Sequence, residues 1–94
     1  LIIEVRLNID KEYISCPAKV GRNINKLREE FLNWLYDRTI DHQFWMYRNG
    51  QKFGVCLRAS AFVYWLNRRR YRRNVAKMVE KKMPQDRVKK TIFF

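Results

Sequence analysis

An α+β fold follows from three observations on this 94-residue chain: a first segment that alternates with period two, a later one that repeats at three and four residues, and an Asn-Gly pair between two aromatic-rich runs. Together they predict a small antiparallel sheet of three to four strands packed with two helices, in the order β(β)αββα, the last helix being long and basic. Residues 1–83 are expected to form the single domain and residues 84–94 a C-terminal tail. With 47% apolar residues and 15% aromatics, the chain is too apolar for a disordered basic tail, and a modest core should form.

In the first segment Ile3, Val5, Leu7 and Ile9 fall on one side and Glu4, Arg6 and Asn8 on the other, the pattern of a half-buried strand. Asp10-Lys11 is able to turn the chain into a second short strand over 12–16, pairing Leu7 with Ile14, before Pro17 ends it. That strand decides between three and four. From Ile24 the period changes: Ile24, Leu27, Phe31, Trp34 and Leu35 recur at helical spacing, while Lys26, Glu29, Glu30, Asn33 and Asp37 take the opposite side. A helix over 23–38 is expected, with Asn23 or Asn25 as its cap.

Asn49-Gly50 is the clearest turn signal, because both residues tolerate the positive φ that a type I′ hairpin turn demands. Residues 43–48 and 51–57 then pair with Tyr47 opposite Lys52, Met46 opposite Phe53 and Trp45 opposite Gly54. This register sorts Phe44, Met46, Phe53, Val55 and Leu57 to a core face and Trp45, Tyr47, Lys52 and Gly54 to an outer one.

The second helix is expected to begin near Ala59, with Ser60 as a candidate cap, and to run to Met83, where Pro84 stops it, a length of roughly 36 Å. Its first half, Ala61 to Leu66, is apolar all round and should be buried. Beyond Asn67 the apolar positions narrow to Tyr71, Val75, Met78 and Val79, with Arg69, Arg70, Arg73 and Lys77 opposite and Arg68 and Arg72 at the border. In the tail, Thr91-Ile92-Phe93-Phe94 is apolar enough to dock as a strand or a plug. The expected core gathers Ile3, Val5, Leu7, Phe31, Trp34, Phe44, Phe53, Val55, Phe62 and Leu66.

Charge carries the functional signal. Of the net +12, most comes from residues 58–83, which hold nine Lys/Arg against one Asp/Glu, whereas residues 1–57 hold nine against seven. Arg68 to Arg73 alone place five guanidinium groups in six positions. A guanidinium is a planar, permanently charged fork that matches phosphate oxygens two at a time, so such a cluster points to an anionic partner. Nucleic acid is the leading expectation, DNA or RNA, with Arg68, Arg69, Arg70, Arg72, Arg73 and Lys77 as phosphate contacts. Trp45 and Tyr47, with Lys52 opposite, form a platform for unpaired bases, unless the second helix or the tail covers that face and turns the rings into core. A homodimer is open to the chain if the outer aromatic face pairs with itself.

The competing class is a basic interaction or inhibitor module, antitoxin-like, that covers an acidic surface of a partner protein. A basic run can also be no more than a solvated helix face whose Arg stems cover apolar surface.

No enzyme is expected, because the chemistry-bearing groups do not cluster. His42 is the sole imidazole and reads as an exposed or capping residue, Glu29 and Glu30 are adjacent and diverge on a helix, and Gly21, Gly50 and Gly54 are too far apart for a phosphate loop. Cys16 and Cys56 have neither a second Cys nor a His at metal-ligand spacing, so no metal or other cofactor is expected. They read as small buried or half-buried thiols of a reducing cytoplasm rather than a disulfide. No run approaches the roughly 18 apolar residues that span a bilayer, and no membrane partner is expected. The start Leu1-Ile2-Ile3-Glu4 lacks the basic and long apolar regions of a signal peptide, while the absence of an initial Met fits a trimmed leader. No zinc knuckle, GXXG clamp or aromatic ribonucleoprotein motif is present.

Overall fold

Alternation at the N-terminus does produce a strand, and a computed structural model, described for residues 1–8 and 10–94, places it at the centre of the main sheet. Ile9, expected on its apolar side, lies outside the described residues. The elements in order are β1 (Ile2–Leu7), β2 (Asp10–Ser15), α1 (Ala18–Arg22), α2 (Ile24–Leu35), β3 (Trp45–Arg48), β4 (Gln51–Val55), α3 (Ala59–Trp65), one π-helical turn (Leu66–Arg70), β5 (Lys77–Val79), a 3₁₀ turn (Gln85–Arg87) and β6 (Val88–Phe93). The α+β expectation holds, but the sheet is not purely antiparallel. Four strands run in the order β5-β2-β1-β6, and β1 pairs with β6 in parallel. The hairpin β3-β4 is a second, separate sheet.

The β1-β2 hairpin is tighter than expected. Asn8 takes φ 56°, a left-handed conformation that Asn tolerates, so Leu7 faces Asp10 and it is Ile3 that faces Ile14. Asn23 separates α1 from α2 and makes no side-chain cap. At the other end α2 stops three residues early, because Asp37 Oδ1 accepts from Thr39 N–H at 3.0 Å and from Thr39 Oγ1 at 2.6 Å. Such local side-chain bonding competes with the helical ladder. The cap of α3 is tertiary: Ser60 lies inside the helix, and the first-turn N–H of Ala59 donates to Glu12 Oε1 on β2 at 3.2 Å.

One face of the sheet carries Ile3, Val5, Ile14 and Ile92 against α2 and α3, whose buried residues include Ile24, Leu27, Phe31, Leu35, Phe62 and Trp65. Phe31 is its hub, with ring centroids of Phe62 at 5.2 Å, Phe94 at 5.6 Å, Trp65 at 5.8 Å and Trp34 at 6.3 Å. The C-terminal segment is therefore strand and plug together: Ile92 sits in the sheet while Phe94 lies against Phe31 and Phe62. Of the expected core, Leu7, Trp34, Phe44 and Val55 are partly buried, and Phe53 is exposed.

The opposite face is not left to solvent. The segment after β5 reaches β6 at the far edge, and Gln85 Nε2 donates to Glu4 Oε1 at 3.2 Å while Arg6 Nε donates to Oε2 at 2.6 Å. Glu4, expected on a solvated side, is fully buried. The Arg6 hydrogen bond, against the opposing effect of burial, holds its carboxyl below the usual carboxylate range.

The largest correction concerns the second helix. It does not run to Met83: α3 ends at Trp65, the π turn closes with Tyr71 N–H donating to Leu66 O at 2.9 Å, and Arg72 turns the chain at φ 58°. Arginines three and four apart repel one another on a helix, as at Arg68/Arg72, Arg69/Arg73 and Arg70/Arg73. The segment also has a better partner, since Lys77, Met78 and Val79 pair with Ser15, Ile14 and Tyr13. Among the described residues no helix is long and apolar enough to cross a membrane.

Candidate nucleic-acid interface

Asn67 builds the arginine loop. Its Oδ1 accepts from Val75 N–H at 2.8 Å and Ala76 N–H at 2.9 Å, and its Nδ2 donates to Ala76 O at 2.8 Å. One carboxamide thereby ties the end of α3 to the start of β5 and makes residues 68–74 a closed loop. A π turn and a left-handed residue cost conformational energy, and both occur often at functional sites. Here they splay the arginines instead of stacking them along one helix face.

The six basic residues expected to act together are sorted into different roles. Arg68, Arg72 and Arg73 surround an open recess of about 270 Å³ whose remaining lining is Asn67 and Asn74. No carboxylate lines it among the described residues. Arg69 lies over the Trp34 ring at 5.7 Å, and Arg70 donates to Glu30 Oε1 at 2.9 Å and covers Tyr71. Lys77 is exposed on β5, beside Asn74 at the rim of a neighbouring groove.

On the hairpin the turn is as expected, with Asn49 at φ 52° and Gly50 at φ 76°, but the faces are only partly as expected: Phe44, Val55 and Leu57 pack against the core and Tyr47 is exposed, whereas Trp45 is buried and Met46 and Phe53 are exposed. Tyr47 does face Lys52, yet a bulge then puts Met46 opposite Gly54 and Trp45 opposite Val55, leaving Phe53 as the extra residue. Trp45 is only 7% exposed, and its Nε1–H donates to Ile40 O at 2.6 Å. Lys52 Nζ binds Arg38 O at 2.7 Å and the carboxylate of Asp41, so its charge is spent on the 37–42 segment. That segment, rather than the second helix or the tail, covers Trp45 and Lys52 on the face where stacking was expected. Tyr47 remains exposed at 54%, now accompanied by Phe53 at 52% with Arg48 over its ring at 4.9 Å.

Sequence reasoning left out three residues that organise this region. Asn67 is one, and its signal was an Asn at each end of the arginine run, at 67 and 74. Phe53 is another, hidden by a bulge that no pattern announces. His42, expected exposed or capping, is buried and does cap: Nδ1 accepts from Phe44 N–H at 3.1 Å, and Nε2 pairs at 2.7 Å with Leu35 O, the last carbonyl of α2. With Nδ1 accepting, Nε2 carries the proton. Its ring packs on Trp34 at 4.5 Å and parallel to Trp45 at 5.1 Å, so Arg69, Trp34, His42 and Trp45 connect the arginine loop to the hairpin.

Chemically the region offers cations, carboxamides and aromatic rings. Among the described residues no group of three or more His, Cys, Asp or Glu could hold a metal ion. Cys16 and Cys56 are free, and burial pushes the Cys16 thiol up, which keeps it a neutral wall. No protein-family model, curated protein or solved structure matches this chain.

Proposed function

We propose that this chain binds nucleic acid without catalysis, holding phosphates with Arg68, Arg72 and Arg73 and steering the strand with Arg69 and Lys77. The observation that carries this reading is the recess lined by three guanidinium groups and two carboxamides, with no carboxylate lining it among the described residues. Three cations sharing one concavity repel one another unless an anion sits between them, and phosphate oxygens meet their forks bidentately. Arg70 is assigned to the fold through Glu30, and Trp45 and Lys52 to the base of the hairpin.

Fluorescence anisotropy of the nuclease-treated protein against labelled single- and double-stranded DNA and RNA, each at several salt concentrations, tests the proposal. Sub-micromolar binding with affinity falling steeply as salt rises is the expected result. No binding to any of the four at low salt removes the reading. Capture of one acidic protein that survives nuclease treatment would instead assign the arginine loop to a protein partner.

A further inference from the structure

Beside the arginine recess lies a second concavity, an open groove of about 810 Å³ between α3 and the edge formed by β5 and the end of β2. Val63, Val75, Met78 and Pro17 give it apolar walls, and Ser15, Asn74 and Lys77 give it polar edges. It exists because the chain leaves the helical path after the π turn. Asn67 and Asn74 line both concavities, so the apolar groove and the cationic recess adjoin each other. No Asp or Glu lines either one among the described residues.

We infer that this groove seats a single unpaired nucleobase while the phosphates beside it rest on Arg68, Arg72 and Arg73, making the target single-stranded. The inference rests on the nucleic-acid reading and names its substrate class. A nucleotide is a flat apolar ring with polar edges joined to an anion, and the two concavities present those surfaces in that order. The groove has ample room for a flat base and stays open to solvent on its outer side, where the sugar and phosphates can leave it. Asn74 is exposed at the junction and offers both a donor and an acceptor to a base edge. A duplex keeps its bases stacked and paired, so it would reach the arginines and leave the groove empty unless one base were flipped out.

The test uses the full chain and three labelled probes of equal length: an oligothymidine strand, the same strand with every base replaced by an abasic spacer, and a duplex. Phosphate number is the same in the first two. Wild type should bind the base-bearing strand at least about fivefold more tightly than the abasic one, as expected from burying roughly 40 Å² of the base's apolar surface against the aliphatic walls. Filling the groove with aliphatic side chains, Val63→Met and Val75→Met together, or Val63→Met alone as a second variant should the first unfold, should reduce that ratio to about one while the salt slope stays at the wild-type value. Equal affinity of wild type for the two strands overturns the inference, as does a preference that survives in a folded groove-filled variant. Loss of the preference in Phe53→Ala, with both groove variants unchanged, would move base contact to the hairpin and also overturn it. If none of the three probes binds and single- and double-stranded RNA of the same length also fail, the nucleic-acid reading itself falls, an outcome distinct from the loss of base preference alone.

Discussion

Asn67 illustrates how one side chain decides the fate of a segment. Its three hydrogen bonds satisfy backbone groups at Val75 and Ala76 that would otherwise be left partly buried and unpaired. Asn67→Ala should therefore lower stability by about 1–3 kcal/mol in chemical denaturation. Asn67→Asp retains both acceptor bonds but loses the donor bond, turns a carboxylate oxygen on the Ala76 carbonyl and sets an anion among Arg68, Arg72 and Arg73. It should melt below wild type and bind polyanions more weakly than Asn67→Ala, and a thermal melt beside a binding titration separates the two effects. Glu4 makes the corresponding case for pH. Because its folded carboxyl is held below the ordinary value by Arg6, its contribution is complete above the unfolded carboxylate range and is lost as pH falls through the folded value. Urea midpoints measured from pH 7 down to about pH 3 should drop in that acid window, and Glu4→Gln should flatten part of the drop.

At the scale of elements, what the sequence made legible was what depends on local pattern. The β1 strand, the apolar stripe of α2 and the Asn49-Gly50 turn all emerged because alternation, helical spacing and positive-φ tolerance are properties of neighbours in the chain. The long second helix failed because its apolar positions from Val75 to Val79 serve two periodicities at once, and only the vacant edge of β2 selects the strand. The hairpin departed from expectation for a related reason: a bulge leaves Phe53 unpaired and exposed, and the 37–42 segment packs on Trp45 and Lys52. The candidate site was half legible. Its arginines were visible, but their division into Arg70 bound to Glu30 and Arg68, Arg72 and Arg73 around one recess required the loop. This division makes a prediction at the same scale. Arg73→Ala should reduce the slope of log affinity against log salt by about 0.7 on a single strand, one phosphate's worth, whereas Arg70→Ala should leave the slope close to wild type and lower stability slightly.

Over the whole molecule, the net charge of +12 would draw the chain to any polyanion, so attraction alone does not identify a partner. What distinguishes this structure is that the charge is shaped. A pinned loop, a cationic recess and an apolar groove meet on one side of α3, and the ring contacts of Trp34, His42 and Trp45 tie that side to the hairpin. Tyr47 and Phe53 are exposed on that hairpin. The measurement that bears most directly on this account is the salt dependence of binding to one labelled single strand, compared between wild type and a variant with Arg68→Ala, Arg72→Ala and Arg73→Ala together. The account predicts a slope smaller by about 2, the equivalent of three phosphate contacts, with the fold retained. An unchanged slope in a folded triple variant would contradict it, because the phosphates would then be held elsewhere.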